Sequence, residues 1–461
     1  MNDSSTSAEL LTTLRAVVRE LAPGDRLPSS RELIDRHRVG PGTVARAIAQ
    51  LTAEGVVITR PGSGTYVAPR ARRTDAVIDT GWQTVALADR SVDAQSLADS
   101  AAPEGAIRLD GGYLHGSLQP ARALTAALAR AARRPDAWDR APAAGLSSLR
   151  TVFAALADAD VRADDVLITS GGQSGLSIAF RAIAAPGSPV LVESPSYPGA
   201  LAAARAAGLS PIPVPLDEYG VRPDLLAEAF ARSGARLFYC QPTYQNPTGT
   251  VLSDERRQQV LAVARAAGAF VLEDDFARLL HHGGTVPKPL LSTDRDGTVI
   301  YLTSLTKPAA PSLRIGALIA RGPVLERLRA IRQVDDFFVA RPLQEAALEL
   351  LSSPTWDRHL RGLAVALRDR CGALVNALAD ARPDWEVSQV PSGGLHFWVR
   401  LPTDDVAAAA EARQAGVIVS PGGRFFATER PGAWLRLNFA ATADLADLSA
   451  AADRLGNVSS Q

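Results

Sequence analysis

Only two of the chain's basic residues are lysines, Lys288 and Lys307; the rest are arginines. An unprotonated lysine amine attacks a carbonyl and holds it as an imine, so chemistry of that kind must use one of these two positions. Lys288 lies in TVPKPL, where a solvated surface lysine is the plainer reading. Lys307 lies in TSLTKPAAPSLRIG, with hydroxyls at Ser304 and Thr306 and a guanidinium at Arg314, donors that suit a phosphate. Three other segments supply groups that an aldehyde on a phosphorylated nitrogen heterocycle would need. TSGGQSG offers backbone amides at Gly172 and Gln173, and Ser170 and Gln173 have capping-box spacing. VLEDD closes an apolar run on Asp274, a carboxylate suited to a protonated ring nitrogen, and WLRLNFA carries Arg436, whose fork can grip both oxygens of a carboxylate.

These groups need a scaffold that brings strand ends and helix starts together. From about residue 105 apolar runs alternate with Ala-rich helical stretches: DVLITSGG, PVLVES, RLFYC and AFVLEDD each read as a strand. That alternation predicts a parallel sheet covered by helices on both faces. From about residue 342 the pattern changes to helices followed by WEVSQVPSGGLHFWVRL and LRLNFA, as expected of a smaller α+β lobe. Residues 70–104 are weakly patterned and read as a linker with room for a short helix.

The first 69 residues form a separate unit. Helical periodicity covers 8–21, Ser29 and Glu32 form a capping box before a helix at about 29–37, and TVARAIAQLTAEG makes a third helix. In the third helix Val44, Ala47, Ile48 and Leu51 share one face, which predicts Thr43, Arg46 and Gln50 outward. VVITRPGSGTYVA then reads as a hairpin. Helices, tight turn and β-wing in this order place one helix in a DNA major groove.

The segments GDRLPSSREL, GTVARAIAQL, EGVV and GSGTYV resemble the DNA-binding domain of the GntR family over about residues 8–68. The resemblance implies contacts from Arg31, Thr43 and Arg46, with Gly62, Ser63 and Gly64 bringing the wing backbone near phosphate. Where the family usually has Ser-Arg before Thr-Val, this chain has Gly40, Pro41 and Gly42, so one basic contact is missing. About residues 105–455 resemble fold-type I aminotransferases, which use pyridoxal 5'-phosphate (PLP). That resemblance implies Lys307 as the Schiff-base lysine and Asp274 as partner of the pyridine nitrogen. It assigns Tyr197 of VESPSYPGAL to ring stacking and Asn246 of QPTYQNPTGT to the phenolic oxygen. Gly172, Gln173, Ser304 and Arg314 fall at the phosphate, with Thr306 a weaker candidate, and Arg436 at an amino acid's α-carboxylate.

A GntR-type head joined to such a body is the layout of the MocR subfamily of GntR regulators. The expected fold is therefore multidomain: a winged helix-turn-helix at 1–69, a linker at 70–104 and an α/β aminotransferase-like domain at 105–461. The expected partners are double-stranded operator DNA and an amine, amino acid or PLP sensed at Lys307, in a homodimer that often exchanges its heads. The rival expectation is an aminotransferase whose head is vestigial; a third is a sensor of PLP alone. Two departures bear on the choice. The family's tyrosine after the aspartate, donor to the phenolic oxygen, is replaced by Phe276 and Ala277, and Arg140 stands where relatives reach a partner's phosphate with a tyrosine. Arg140 there is either a substitute phosphate ligand or a solvated helix-end residue.

Composition narrows the classes further. The formal net charge is zero, so nucleic-acid binding must come from a local patch. Two isolated cysteines, Cys240 and Cys371, exclude a disulfide framework or a zinc cluster, and no apolar run is long enough to span a bilayer. A cytoplasmic protein without metal or membrane attachment is expected.

Overall fold

A computed structural model describes residues 3–69, 79–87, 102–158, 160–428 and 430–457. The chain forms two compact units that divide between Ser91 and Val92. Most of the expected linker lies outside the described residues; the part inside them contains a short helix, Gly81–Ala86.

In the first unit, helices Asp3–Glu20, Ser30–His37 and Pro41–Ala53 precede the hairpin Val57–Arg60 and Gly64–Val67. Leu14, Leu33, Val44, Ala47, Leu51, Val57 and Val67 form its core. The capping box predicted at Ser29 is present: Ser29 N donates to Glu32 Oε2 at 2.7 Å and Glu32 N to Ser29 Oγ at 3.3 Å. The third helix starts two residues before the TVARA run, with Pro41 in its first turn and Gly40 as an N-cap that offers no side chain. Proline suits that position because it has no amide proton to leave unpaired.

In the second unit an eight-stranded sheet has the order Val166–Thr169, Gly316–Ile319, Val299–Ser304, Phe270–Asp274, Leu237–Cys240, Pro189–Ser194, Ser210–Asp217, Gly220–Val221. Its five central strands are parallel, as the alternation predicts. The sheet as a whole is mixed, which corrects the all-parallel expectation: Gly316–Ile319 is antiparallel to both neighbours, and the last strand to the one before it. The cause is chain length. A parallel return needs a crossover of about a dozen residues or more, usually a helix, whereas residues 305–315 hold only a loop and one 3-10 turn. That loop carries Lys307 and Arg314.

The sheet buries both faces. Ile168, Phe238, Val271 and Tyr301 enter one core, and Leu167, Leu237, Leu272 and Leu302 the other. The C-terminal lobe has an antiparallel sheet ordered Glu386–Val387, His396–Arg400, Trp434–Asn438, Ser420–Pro421. Helix Pro354–Ala381 joins the two lobes, with Trp356 in the first core and Leu367, Leu374 and Leu378 in the lobe's own. Strand Ile107–Arg108 pairs in parallel with Val417–Ile418, and Leu109 and Leu114 enter the small lobe's core. The body thus begins on the small lobe.

Candidate functional site

Strand ends and helix starts of the second unit open onto one cavity. It is lined by Gly172, Gln173, Tyr197, Asn246, Asp274, Ser304, Thr306, Lys307, Arg314 and Arg436, so the structure brings these candidates together in one place, Arg140 excepted. Residues that sequence reasoning missed also line it: Gly111, Gly112 and Tyr113 from the loop after Leu109, Gln241, and His396, Arg424 and Phe425 from the small lobe.

Lys307 Nζ donates to the Gly112 carbonyl at 2.6 Å and lies 4.0 Å from the centroid of the Tyr113 ring. Burial, joined by the positive charges of Arg436 and Arg314, lowers its pKa to about 7. A neutral amine is the nucleophilic form, so the position is set for attack on a carbonyl near neutral pH.

Asp274 ends strand Phe270–Asp274. Its Oδ2 accepts from Tyr239 Oη and from Gln241 Nε2, both at 2.9 Å, which fixes the carboxylate plane. Burial raises its pKa to about 6 despite those two donors. A buried carboxylate of this kind is stabilised by a cationic N–H brought to it. Behind it, Glu193 Oε2 accepts from Gln241 N at 2.9 Å.

Helix Gly172–Ile183 starts one step later than the capping-box spacing implies. Gly171 is its N-cap at φ +86° with no side-chain cap. Ser170 donates instead to Asp336 at 3.3 Å, and Gln173 Nε2 to the Gly199 carbonyl at 2.8 Å. The predicted box is therefore not formed, because the left-handed glycine turns Ser170 away from the helix axis. This leaves the first amides without a side-chain acceptor at the cavity. Arg314 Nη2 donates to the Ser170 carbonyl at 2.8 Å, and a Cβ built on Gly171 would lie 2.8 Å from that same nitrogen. Glycine is what lets the guanidinium approach. Ser304 Oγ donates to Thr306 Oγ1 at 2.8 Å, completing a corner of amides, hydroxyls and guanidinium. That corner has the chemistry of a phosphate site, so these residues fit the phosphate of PLP as Lys307 and Asp274 fit its aldehyde and ring.

Tyr197 donates to Gln173 Oε1 at 3.2 Å, and burial pushes its pKa up to about 12. Asn246 Oδ1 accepts from Arg436 Nη1 at 3.3 Å, and its backbone N–H donates to Gln241 Oε1 at 3.1 Å. Arg436, 7% exposed, also donates to the carbonyls of Asp110 at 2.6 Å and Gly111 at 3.2 Å. Phe276 lines the cavity and Ala277 is buried in the small lobe's core, so no phenol stands at either position. Arg140 is exposed, with its guanidinium 5.9 Å from the centroid of the Phe338 ring.

In the first unit, Arg31, Arg46, Gly62 and Ser63 are exposed and Gly64 is half-buried. Thr43 corrects the outward assignment, being only 5% exposed. With the helix starting at Pro41, Thr43 lies one i, i+4 step from buried Ala47 and shares its inward side. At Gly64, φ +120°, a Cβ would lie 2.8 Å from Arg26 Nε, so the glycine admits an arginine against the wing. Ser63 Oγ and Tyr66 Oη are 2.6 Å apart, and Arg60 lies over the Tyr66 ring at 5.0 Å.

Comparison with known proteins agrees with this division. Residues 110–455 match the family of aminotransferases class I and II, and residues 8–67 match the bacterial regulatory proteins of the gntR family. The uncharacterized HTH-type transcriptional regulator YisV of Bacillus subtilis is 30% identical over 92% of this chain and 90% of its own length. The 2-aminoadipate transaminase of Thermus thermophilus is 32% identical over 76% of this chain and 89% of its own. A crystal structure of LysN, the α-aminoadipate aminotransferase of Thermus thermophilus, complexed with N-(5'-phosphopyridoxyl)-L-leucine, superposes with a TM-score of 0.74. It is 29% identical, and the match covers 82% of this chain and 96% of that one. Among the described residues no helix is long and apolar enough to cross a membrane.

Proposed function

The chain belongs to the class I and II aminotransferase family and carries a gntR-family head, and on that premise we propose that it is a PLP-dependent, DNA-binding transcription regulator of the MocR type. The observation that carries the reading is Lys307, one of two lysines in the chain, half-buried with its pKa lowered to about 7 in a cavity that also holds Asp274 and the Arg314 corner. When bound, PLP supplies an aldehyde for an amine and an electron-withdrawing ring. Lys307 presents the amine. Asp274, held by Tyr239 and Gln241, keeps a proton on the ring nitrogen. Ser304, Thr306, Arg314 and the amides of Gly172 and Gln173 bind the phosphate. Tyr197 packs on the ring face, and Asn246 donates its side-chain amide to the phenolic oxygen.

Arg436 receives the carboxylate of an amino-acid effector. Such a ligand competes with the carbonyls of Asp110 and Gly111 for Arg436, and a ligand amine competes with Gly112 for Lys307. The loop so displaced is the part of the cavity nearest in sequence to the head. A ligand shifts a conformational equilibrium only by its differential affinity for the two states, and this exchange of partners supplies one. In the head, Arg31, Arg46 and the wing at Gly62, Ser63 and Gly64 form the DNA-facing set. The active assembly is a homodimer, in keeping with the family layout.

Sequencing the genomic fragments that the purified protein retains, with and without PLP, tests the reading. Discrete sites whose recovery changes with PLP support it; amino-group transfer to a keto acid with no fragment retained favours the aminotransferase reading instead.

A further inference from the structure

Gln241 directly follows strand Leu237–Cys240, lines the cavity and is only 2% exposed. A buried side-chain amide is unfavourable unless both its ends find partners. Here both do. Nε2 donates to Asp274 Oδ2 at 2.9 Å, and Oε1 accepts from the Asn246 backbone N–H at 3.1 Å. The Gln241 backbone N–H donates to Glu193 Oε2 at 2.9 Å, which anchors the residue from behind. The amide can point only one way. A backbone N–H only donates, so the oxygen must face Asn246 and the NH2 group must face the carboxylate. Packing alone would be served by an apolar side chain of the same size, as it is along the strand that precedes it.

Gln241 thus joins the two residues that meet opposite parts of a PLP ring. Both of the donors to Asp274, Gln241 Nε2 and Tyr239 Oη, fall on Oδ2, which leaves Oδ1 for a ring N–H. Asn246 is held at its backbone by Gln241 and at its side-chain oxygen by Arg436 Nη1 at 3.3 Å. With that oxygen taken, Asn246 has its NH2 group to offer a phenolic oxygen. Asp274 and Asn246 come from separate segments of the chain, and the Gln241 side chain bridges them.

We propose that Gln241 is a positioning residue for the cofactor ring: by clamping the Asp274 carboxylate to the Asn246 backbone, it makes one rigid unit of the groups that meet the ring nitrogen and the phenolic oxygen. This rests on the reading of the cavity as a PLP site. Groups already oriented need no rearrangement when the ligand arrives, so the clamp acts on cofactor affinity and on the cofactor's own ionisation. Losing it weakens the contact at the ring nitrogen and the donor at the phenolic oxygen together. Each loss leaves more electron density at the bond between cofactor and Lys307, so the nitrogen there keeps a proton to higher pH.

The test titrates PLP into four full-length proteins: wild type, Gln241→Met, Asp274→Asn and the double variant. The pH midpoint of the bound cofactor's visible absorbance is recorded for each. Gln241→Met, close in size and without an amide, is expected to weaken PLP about tenfold and to move the midpoint upward, in an apoprotein that still melts cooperatively. In the Asp274→Asn background the same substitution is expected to cost less than about threefold, because a residue that acts through Asp274 has lost the charge it positions. An unmoved midpoint in a folded Gln241→Met protein, or a full tenfold loss in the Asp274→Asn background, would overturn the clamp. Gln241→Glu serves if Gln241→Met does not fold. It is nearly isosteric and makes both contacts only while its carboxyl is protonated. The groups it faces are Asp274, Tyr239 and Glu193, the last pushed up to about 8 by burial, with the Lys307 charge also felt at Asp274. Its PLP affinity, relative to wild type at the same pH, is expected to be within about twofold at pH 6 and at least about tenfold weaker at pH 9. A ratio that does not change with pH would overturn the clamp as well. Wild-type protein that takes up no PLP overturns the cofactor reading itself, and the clamp with it.

Discussion

The head and the cavity bind in opposite ways. In the head, Arg31, Arg46, Gly62 and Ser63 of the residues proposed for DNA stand exposed on a small folded core, where a partner would meet them in high dielectric. In the cavity the assigned groups are buried or half-buried, and most are held by another polar group, as Asp274 is by Tyr239 and Gln241. Exposed charges act over a distance and are screened by salt, with a Debye length of about 8 Å at physiological ionic strength. Buried charges act at contact, and their ionisation itself is shifted. The difference teaches that substitutions in the two regions should separate cleanly: the head should lose affinity in a salt-dependent, graded way, and the cavity in a pH-dependent, nearly all-or-none way.

The sharpest way to break that contrast is Lys307→Ala. It should abolish retention of PLP's visible absorbance after gel filtration, because Lys288, in its surface-loop context, cannot substitute; retained absorbance would contradict the assignment. Next in size, Asp274→Asn removes a charged partner from the ring nitrogen. PLP affinity measured by titration should fall by on the order of 2 kcal/mol, roughly thirtyfold, with head stability unchanged. Arg46→Ala should weaken operator binding by about 1–3 kcal/mol and reduce its salt dependence while PLP uptake stays normal. Electrophoretic mobility shifts at several salt concentrations measure both effects.

The pH dependence sharpens the contrast further. Lys307 has its pKa lowered to about 7 in the folded protein, against about 10.4 for an unperturbed lysine. Between those values the unfolded chain binds the proton and the folded chain does not, so this group makes the cofactor-free protein more stable as pH rises from about 7 to 10. Lys307→Met should flatten that slope in a thermal melt. The rate of PLP uptake by the wild type should likewise rise through about pH 7, as the amine becomes neutral. The smallest effect belongs to the head: Ser29→Ala removes a helix cap and should cost about 1 kcal/mol of its stability, leaving the cavity untouched.

How much of this was legible in the sequence follows the same division between local and non-local causes. Lys307, Arg314, Asp274 and the Gly171–Gly172 turn were legible because each sits where one strand ends and the chain turns, and the turn chemistry is written in adjacent residues. Tyr239 and Gln241 were not, since they reach Asp274 across neighbouring strands: Tyr239 sits in a plain apolar run, and Gln241 opens the QPTYQNPTGT segment without its side-chain role being marked there. Gly112, Tyr113, His396 and Arg424 come from segments far from the lysine in sequence. Only the LDGGYLHG glycines, which mark a close backbone approach, were a signal that could have been read. Two local readings failed for local reasons: Gly171 at φ +86° delays the helix that Ser170 was to cap, and Thr43, one i, i+4 step before Ala47, belongs to the buried face of its helix. The mixed sheet was missed because hydropathy marks a strand but not its direction; the short 305–315 connection is what sets it.

In the function proposed, one chain couples occupancy of the Lys307 cavity to DNA binding. Fluorescence anisotropy on a site recovered with the protein itself tests it most directly, comparing wild type and Lys307→Ala at fixed salt, each with and without PLP. PLP is expected to change the wild-type Kd several-fold or more and to leave the Lys307→Ala Kd unmoved. Equal wild-type affinities in the two conditions, or the same PLP response in Lys307→Ala, would contradict it.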